Sequence, residues 1–170
     1  MNTAEYNPDN NHAHAVAPNS TTKSEVATEL LNWAICSFLS GKGYYSAIHL
    51  SGAAEEIFAV YLRSPTYQEK SSADELKSLF VHLCSPKNQR EEIEVSKWFI
   101  DRLNAARNSV KHKQGHGDEY VHFDPEREAE DSIRRAINNY TQLSRKTSLP
   151  PVDSILDFYA ALKIKASQEA

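Results

Sequence analysis

Apolar residues recur at three- and four-residue steps through most of this chain, and nowhere do they alternate with polar ones for long enough to predict a strand. The pattern predicts a first helix over about 23–40, opened by a capping box of Thr22 and Glu25, with Val26, Leu30, Trp33 and Ala34 on its apolar side and "GKG" at its end. A second helix over 44–63 carries Ala47, Leu50, Ala54, Ile57 and Tyr61 and stops at the following Ser-Pro. Ser72 and Glu75 repeat the capping-box spacing before a short helix bearing Leu76, Leu79, Phe80 and Leu83, which Pro86 closes. A fourth helix over about 90–113 carries Val95, Phe99, Leu103, Ala106 and Val110, with Gly115 and Gly117 as its stop.

Asp124 then caps a fifth helix with Pro125 in its first turn, and Ala129, Ile133, Ala136, Ile137, Tyr140 and Leu143 form its stripe. Past "TSLPPV", Asp153 opens a last helix with Ile155, Leu156, Tyr159 and Leu162. Five to six helices joined by short loops predict an all-α, up-down bundle. Residues 1–22, rich in Asn, Ala, Pro and small polar side chains, read as a flexible tail. Residues 23–146 form the bundle, and residues 147–170 a linker and a helix packing on it.

Composition narrows the chemistry. A chain of 170 residues suits one domain, and a net charge of −4 supplies no chain-wide positive field for nucleic acid or an anionic membrane. Anion binding must therefore be local. No apolar run is long enough for a membrane span and no signal peptide opens the sequence, so a cytoplasmic protein is the expectation. Cys36 and Cys84 show no zinc or redox spacing and are expected as buried thiols. Trp33 and Trp98 are expected as core anchors, and His49 and His82 as structural histidines. His12 and His14 lie in the tail.

Two stretches ask for a reason. In "SAIHLSGAAEEIFAVYL", residues 46–62, Ser51, Gly52, Ala53 and Ala54 leave one flank of a helix nearly bare; a mid-helix glycine costs about 1 kcal/mol relative to alanine, which close approach of a neighbour would justify. Either one of Glu55 and Glu56 beside it reaches an arginine such as Arg107, or both sit on the wet edge of the helix. In "NAARNSVKHKQGHG", residues 104–117, Asn108 and His112 lie four apart on one helix face, with Arg107 on the adjoining edge. Arginine offers a permanently charged forked donor for phosphate oxygens, and histidine titrates near neutral pH, a pairing suited to phosphodiester chemistry. Cations also favour helix C-termini for electrostatic reasons alone. A metal site at His112, His116 and His122 lacks an acidic ligand at suitable spacing, so neither metal nor cofactor is expected.

The "RNSVKH" segment, together with the alanine-rich, Glu-bearing helix "YYSAIHLSGAAEEIFAVYL", resembles the HEPN family over about residues 24–145. That family's motif is Arg, four to six residues, then His, often with a polar residue directly after the Arg; Arg107, Asn108 and His112 match it. The resemblance implies a helical bundle that forms a homodimer with the two motifs facing across a cleft, and a metal-independent endoribonuclease acting on RNA. It gives His112 the proton transfer, Arg107 the stabilisation of phosphate charge and Asn108 an orienting role. Arg102, Lys111, Lys113 and His116 would line the substrate cleft, and Glu55 and Glu56 would support it. It implies a toxin with a small antitoxin partner, or a phage-defence component. The alternative within the same family is a catalytically inactive dimer that binds a nucleotide or a protein partner.

Overall fold

Thr22 and Glu25 start the fold by satisfying each other's backbone: Glu25 N–H donates to the Thr22 hydroxyl at 3.2 Å and Thr22 N–H to the Glu25 carboxylate at 2.8 Å. The structure, a computed structural model, describes residues 20–112 and 119–168. These described residues form seven helices: α1 (Lys23–Leu39), α2 (Tyr44–Leu62), α3 (Ser72–Cys84), α4 (Gln89–Leu103), α5 (Ala105–Lys111), α6 (Pro125–Ser144) and α7 (Ser154–Gln168). Among the described residues there is no strand, and no helix is long and apolar enough to cross a membrane. The tail expected over 1–22 lies outside the described residues up to position 19.

The helix count exceeds five to six because the expected fourth helix is two. Asn104, at φ −96° and ψ −1°, separates α4 from α5; a side chain that competes for backbone hydrogen bonds is a poor helix interior residue. The capping box of α3 also sits one residue earlier than expected. In "SSADE" both serines stand three residues before an acid, and Ser71 with Asp74 is the pair that forms. Burial works against the Asp74 charge, but hydrogen bonds from the Ser71 hydroxyl and N–H, with Arg63 and Lys77 nearby, hold its carboxyl below the usual range. The helix ends on Ser85 in the left-handed region, φ 48°, and Pro86 follows.

Helix α2 is the centre, packed on α1 and α6. Leu31 and Ile35 of α1, Ile48, Phe58 and Leu62 of α2, and Ile133 and Leu143 of α6 are almost fully buried. Helix α7 closes the far side of α1 through Phe158, whose ring meets Phe38 edge-on at 5.3 Å, and through a hydrogen bond from Ser154 to Asn32 at 2.7 Å. Within α7 it is Phe158 that enters the core; Leu156, expected on the apolar side, is exposed.

Polar residues cross the α2–α6 interface at helical spacing. The Ser51 and Ser132 hydroxyls bond at 2.7 Å, Arg135 Nε donates to both Glu55 carboxylate oxygens at 3.0 and 3.2 Å, and Asn139 Nδ2 donates to the Glu55 carbonyl at 3.1 Å. The Asn139 side-chain oxygen accepts the Ser72 N–H at 2.7 Å, so one residue ties the start of α3 to the core. Among the described residues no buried side-chain nitrogen or oxygen lacks a partner.

Beyond that tie, α3 and α4 form a hairpin arm with little cover. No residue of α4 is buried, and Leu76, Leu79, Leu83, Ile93 and Trp98 are exposed. The arm is held together by Phe80, stacked on Trp98 and Phe99 at centroid distances of 5.5 and 4.9 Å. The expected core roles of both tryptophans therefore fail: Trp33 is 57% and Trp98 58% exposed. On α1 the core face runs through Ala27, Leu31, Ala34, Ile35 and Phe38, which turns Trp33 outward. Cys36 and Cys84, expected as buried thiols, are both exposed, and so are His49 and His82.

Candidate functional site

The bare flank of α2 has two neighbours, both in the same chain. Ser51 meets α6, and Gly52 meets Arg107 of α5. A β-carbon at position 52 would collide with Arg107 Cδ and lie 3.1 Å from its Cγ, so the missing side chain is a notch that the arginine stem fills. The guanidinium then bends over the helix edge. Its Nη1 donates to the Gly52 carbonyl at 3.2 Å and to Glu56 Oε2 at 3.4 Å. The Arg107 side chain is 24% exposed and that of Glu56 65%. The two adjacent glutamates thus separate: Glu56 reaches Arg107, while Glu55 turns inward to Arg135.

The same helix presents its next polar groups on another side. A residue turns about 100° around an α-helix, so positions five apart stand roughly 140° from one another and positions four apart roughly 40°. Arg107 accordingly faces α2, while Asn108 and His112 are exposed. Helix α5 ends at Lys111, two residues before the expected end, and His112 caps it in extended conformation at φ −134° and ψ 136°, its N–H still bonded to the Asn108 carbonyl at 3.0 Å. Lys113 and His116, with the glycines expected to stop the helix, lie outside the described residues.

His112 borders a surface cavity of about 390 Å³ lined also by Ser109, Val110, Lys111, Glu119, Tyr120 and Val121. Arg107 and Asn108 are not among its lining residues. Arg102 lies elsewhere, in a hollow of about 380 Å³ shared with His122, Asp124, Arg127 and Asp131 beside the start of α6. The described residues selected from the sequence therefore separate: Arg107 lies with Gly52 and Glu56, His112 with Lys111, Arg102 apart, Glu55 on Arg135, and Asn108 exposed on α5. Among the described residues no group of three or more His, Cys, Asp or Glu side chains is placed to hold a metal ion.

Sequence reasoning puts the loop "KQGHGDEY", which ends in Glu119 and Tyr120, at the border of a cleft without saying which of its side chains form the wall, because a loop pattern carries no period that says which side it faces. It missed Arg135 as the partner of Glu55. The signal was present: Arg135 and Asn139 are polar residues four apart flanking the apolar stripe of α6, as Ser51 and Glu55 flank that of α2. Comparison with family models, curated proteins and solved structures finds no match for the chain.

Proposed function

We propose that this protein is a metal-independent endoribonuclease of HEPN type. The observation that carries the reading is the seating of Arg107: a notch in α2 and two acceptors fix a guanidinium at the surface, five positions before an exposed imidazole that borders a cavity. A structural arginine at a helix end does not require a glycine to be spent opposite it. The ribose 2′-oxygen attacks the neighbouring phosphorus, the bond to the 5′-oxygen breaks, and the products carry a 2′,3′-cyclic phosphate and a 5′-hydroxyl. His112 transfers the proton, and Arg107 neutralises charge on the non-bridging oxygens.

Because Arg107 does not line the cavity that His112 borders, the reading includes a homodimer, in which each cleft draws on the motifs of two copies. Lys111 adds positive charge next to His112, which a chain of net charge −4 needs in order to hold RNA. A toxin paired with a small antitoxin, or a phage-defence component, is the biological setting this reading favours.

The competing reading is a catalytically inactive helical dimer or adaptor that binds a nucleotide or a partner protein, and the uncovered apolar residues of the α3–α4 arm favour it. RNA incubated with the purified protein in EDTA separates the two. Cleavage that leaves cyclic-phosphate ends and falls at least ~100-fold in His112→Ala, with the helical circular-dichroism spectrum unchanged, supports the nuclease. RNA left intact at high protein concentration, or cleavage indifferent to His112, refutes it.

A further inference from the structure

The two acceptors on Arg107 are not equivalent. The Gly52 carbonyl belongs to the backbone of α2 and cannot leave without unwinding the helix. The Glu56 carboxylate sits at 3.4 Å, at the long limit of a hydrogen bond, on a side chain 65% exposed and able to swing into water. Both act on Nη1; among the described residues nothing bonds Nε or Nη2. The stem meanwhile stays in place, because Cγ and Cδ occupy the space over Gly52.

Carboxylate and phosphate compete for the same donors of an arginine, and phosphate brings more oxygens and more charge. We propose that Glu56 is the displaceable occupant of an anion site on Arg107: a phosphate group evicts the carboxylate, while Gly52 keeps the arginine stem seated through the exchange. Gly52 is then a positioning residue, and Glu56 an internal competitor that weakens anion binding in the resting protein. The proposal shares with the nuclease reading the assignment of phosphate to Arg107, and it requires no cleavage.

Inorganic phosphate is the probe, titrated at fixed ionic strength into the intact protein while the Arg107 Nε–Hε resonance is followed by NMR. Phosphate shifts that resonance in the wild type, and Glu56→Gln, an exposed and nearly isosteric change, binds phosphate roughly fivefold tighter, the scale of one exposed ion pair. In Arg107→Ala, which lacks that resonance, phosphate no longer shifts the backbone amide signals around Gly52, as it does in the wild type. Equal or weaker binding by Glu56→Gln, or no phosphate response in either protein, overturns the proposal. Tighter binding in a protein that never cleaves RNA preserves it while removing the nuclease reading. RNA cleavage with a KM unmoved by Glu56→Gln removes this proposal alone.

Discussion

The α2–α6 seam and the α3–α4 arm are built from similar amphipathic helices, yet one is closed and the other open. In the seam, apolar residues are covered on both sides and the polar residues among them are paired across the interface by Ser51–Ser132, Glu55–Arg135 and Asn139. In the arm, Leu76, Leu79 and Leu83 of α3 keep the same three- and four-residue spacing as core residues do, but they, like Trp98 of α4, are exposed. Periodicity reports that a helix has an apolar side. It does not report whether anything lies against that side.

The contrast is open to measurement, beginning at the seam. Glu55→Ala strands the Arg135 guanidinium in a nearly buried site and costs about 3–5 kcal/mol, the scale for removing one partner of a buried ion pair. Urea unfolding followed by circular dichroism reads it directly; a loss below ~1 kcal/mol would mean that Arg135 finds water and that the seam is less closed than described. The next effect belongs to the joint between the two regions. Asn139→Leu leaves the Ser72 N–H without its acceptor, costs about 2 kcal/mol, and accelerates amide exchange in α3 more than in α1. Uniform acceleration through all helices would show that the arm has no separate stability.

The smallest effect lies in the arm. Trp98→Ser removes a stack on Phe80 but little buried surface, so stability drops by no more than ~1 kcal/mol. The same unfolding measurement applies, and a loss of 3 kcal/mol or more would place Trp98 in a covered core after all.

What could be read from the sequence follows the same division. The all-α class, the capping box at Thr22, the end of α3 before Pro86, and the Asp124–Pro125 start of α6 depend on interactions within a few residues, and local patterns carry them. Trp33 and Trp98 were misplaced because an aromatic ring is large enough to satisfy an apolar count from the edge of a stripe, and only the neighbouring helix decides its exposure. On α1 the fully buried residues Ala27 and Leu31 stand one step from the expected Val26 and Leu30, although Leu30 packs partly against the core and Ala34 is buried as expected. The break at Asn104 was legible in principle, since the residue disfavours helix interiors, but the continuous apolar period across it hid the interruption.

The site shows the same limit. Gly52 was recognisable as a place of close approach, because a mid-helix glycine has a cost that calls for compensation, and one of Glu55 and Glu56 as placed to reach an arginine. That the approaching body is a side chain from 55 positions downstream, and that Glu55 turns the opposite way, depends on how α5 and α6 lie against α2.

The notch at Gly52 binds the fates of two distant positions. As long as Arg107 occupies it, any larger residue at 52 collides with the arginine, and the helix forgoes about 1 kcal/mol that alanine would return. Were Arg107 lost, that prohibition would vanish and stabilising replacements would become accessible, so decay of the arginine opens a ratchet that makes its return progressively harder.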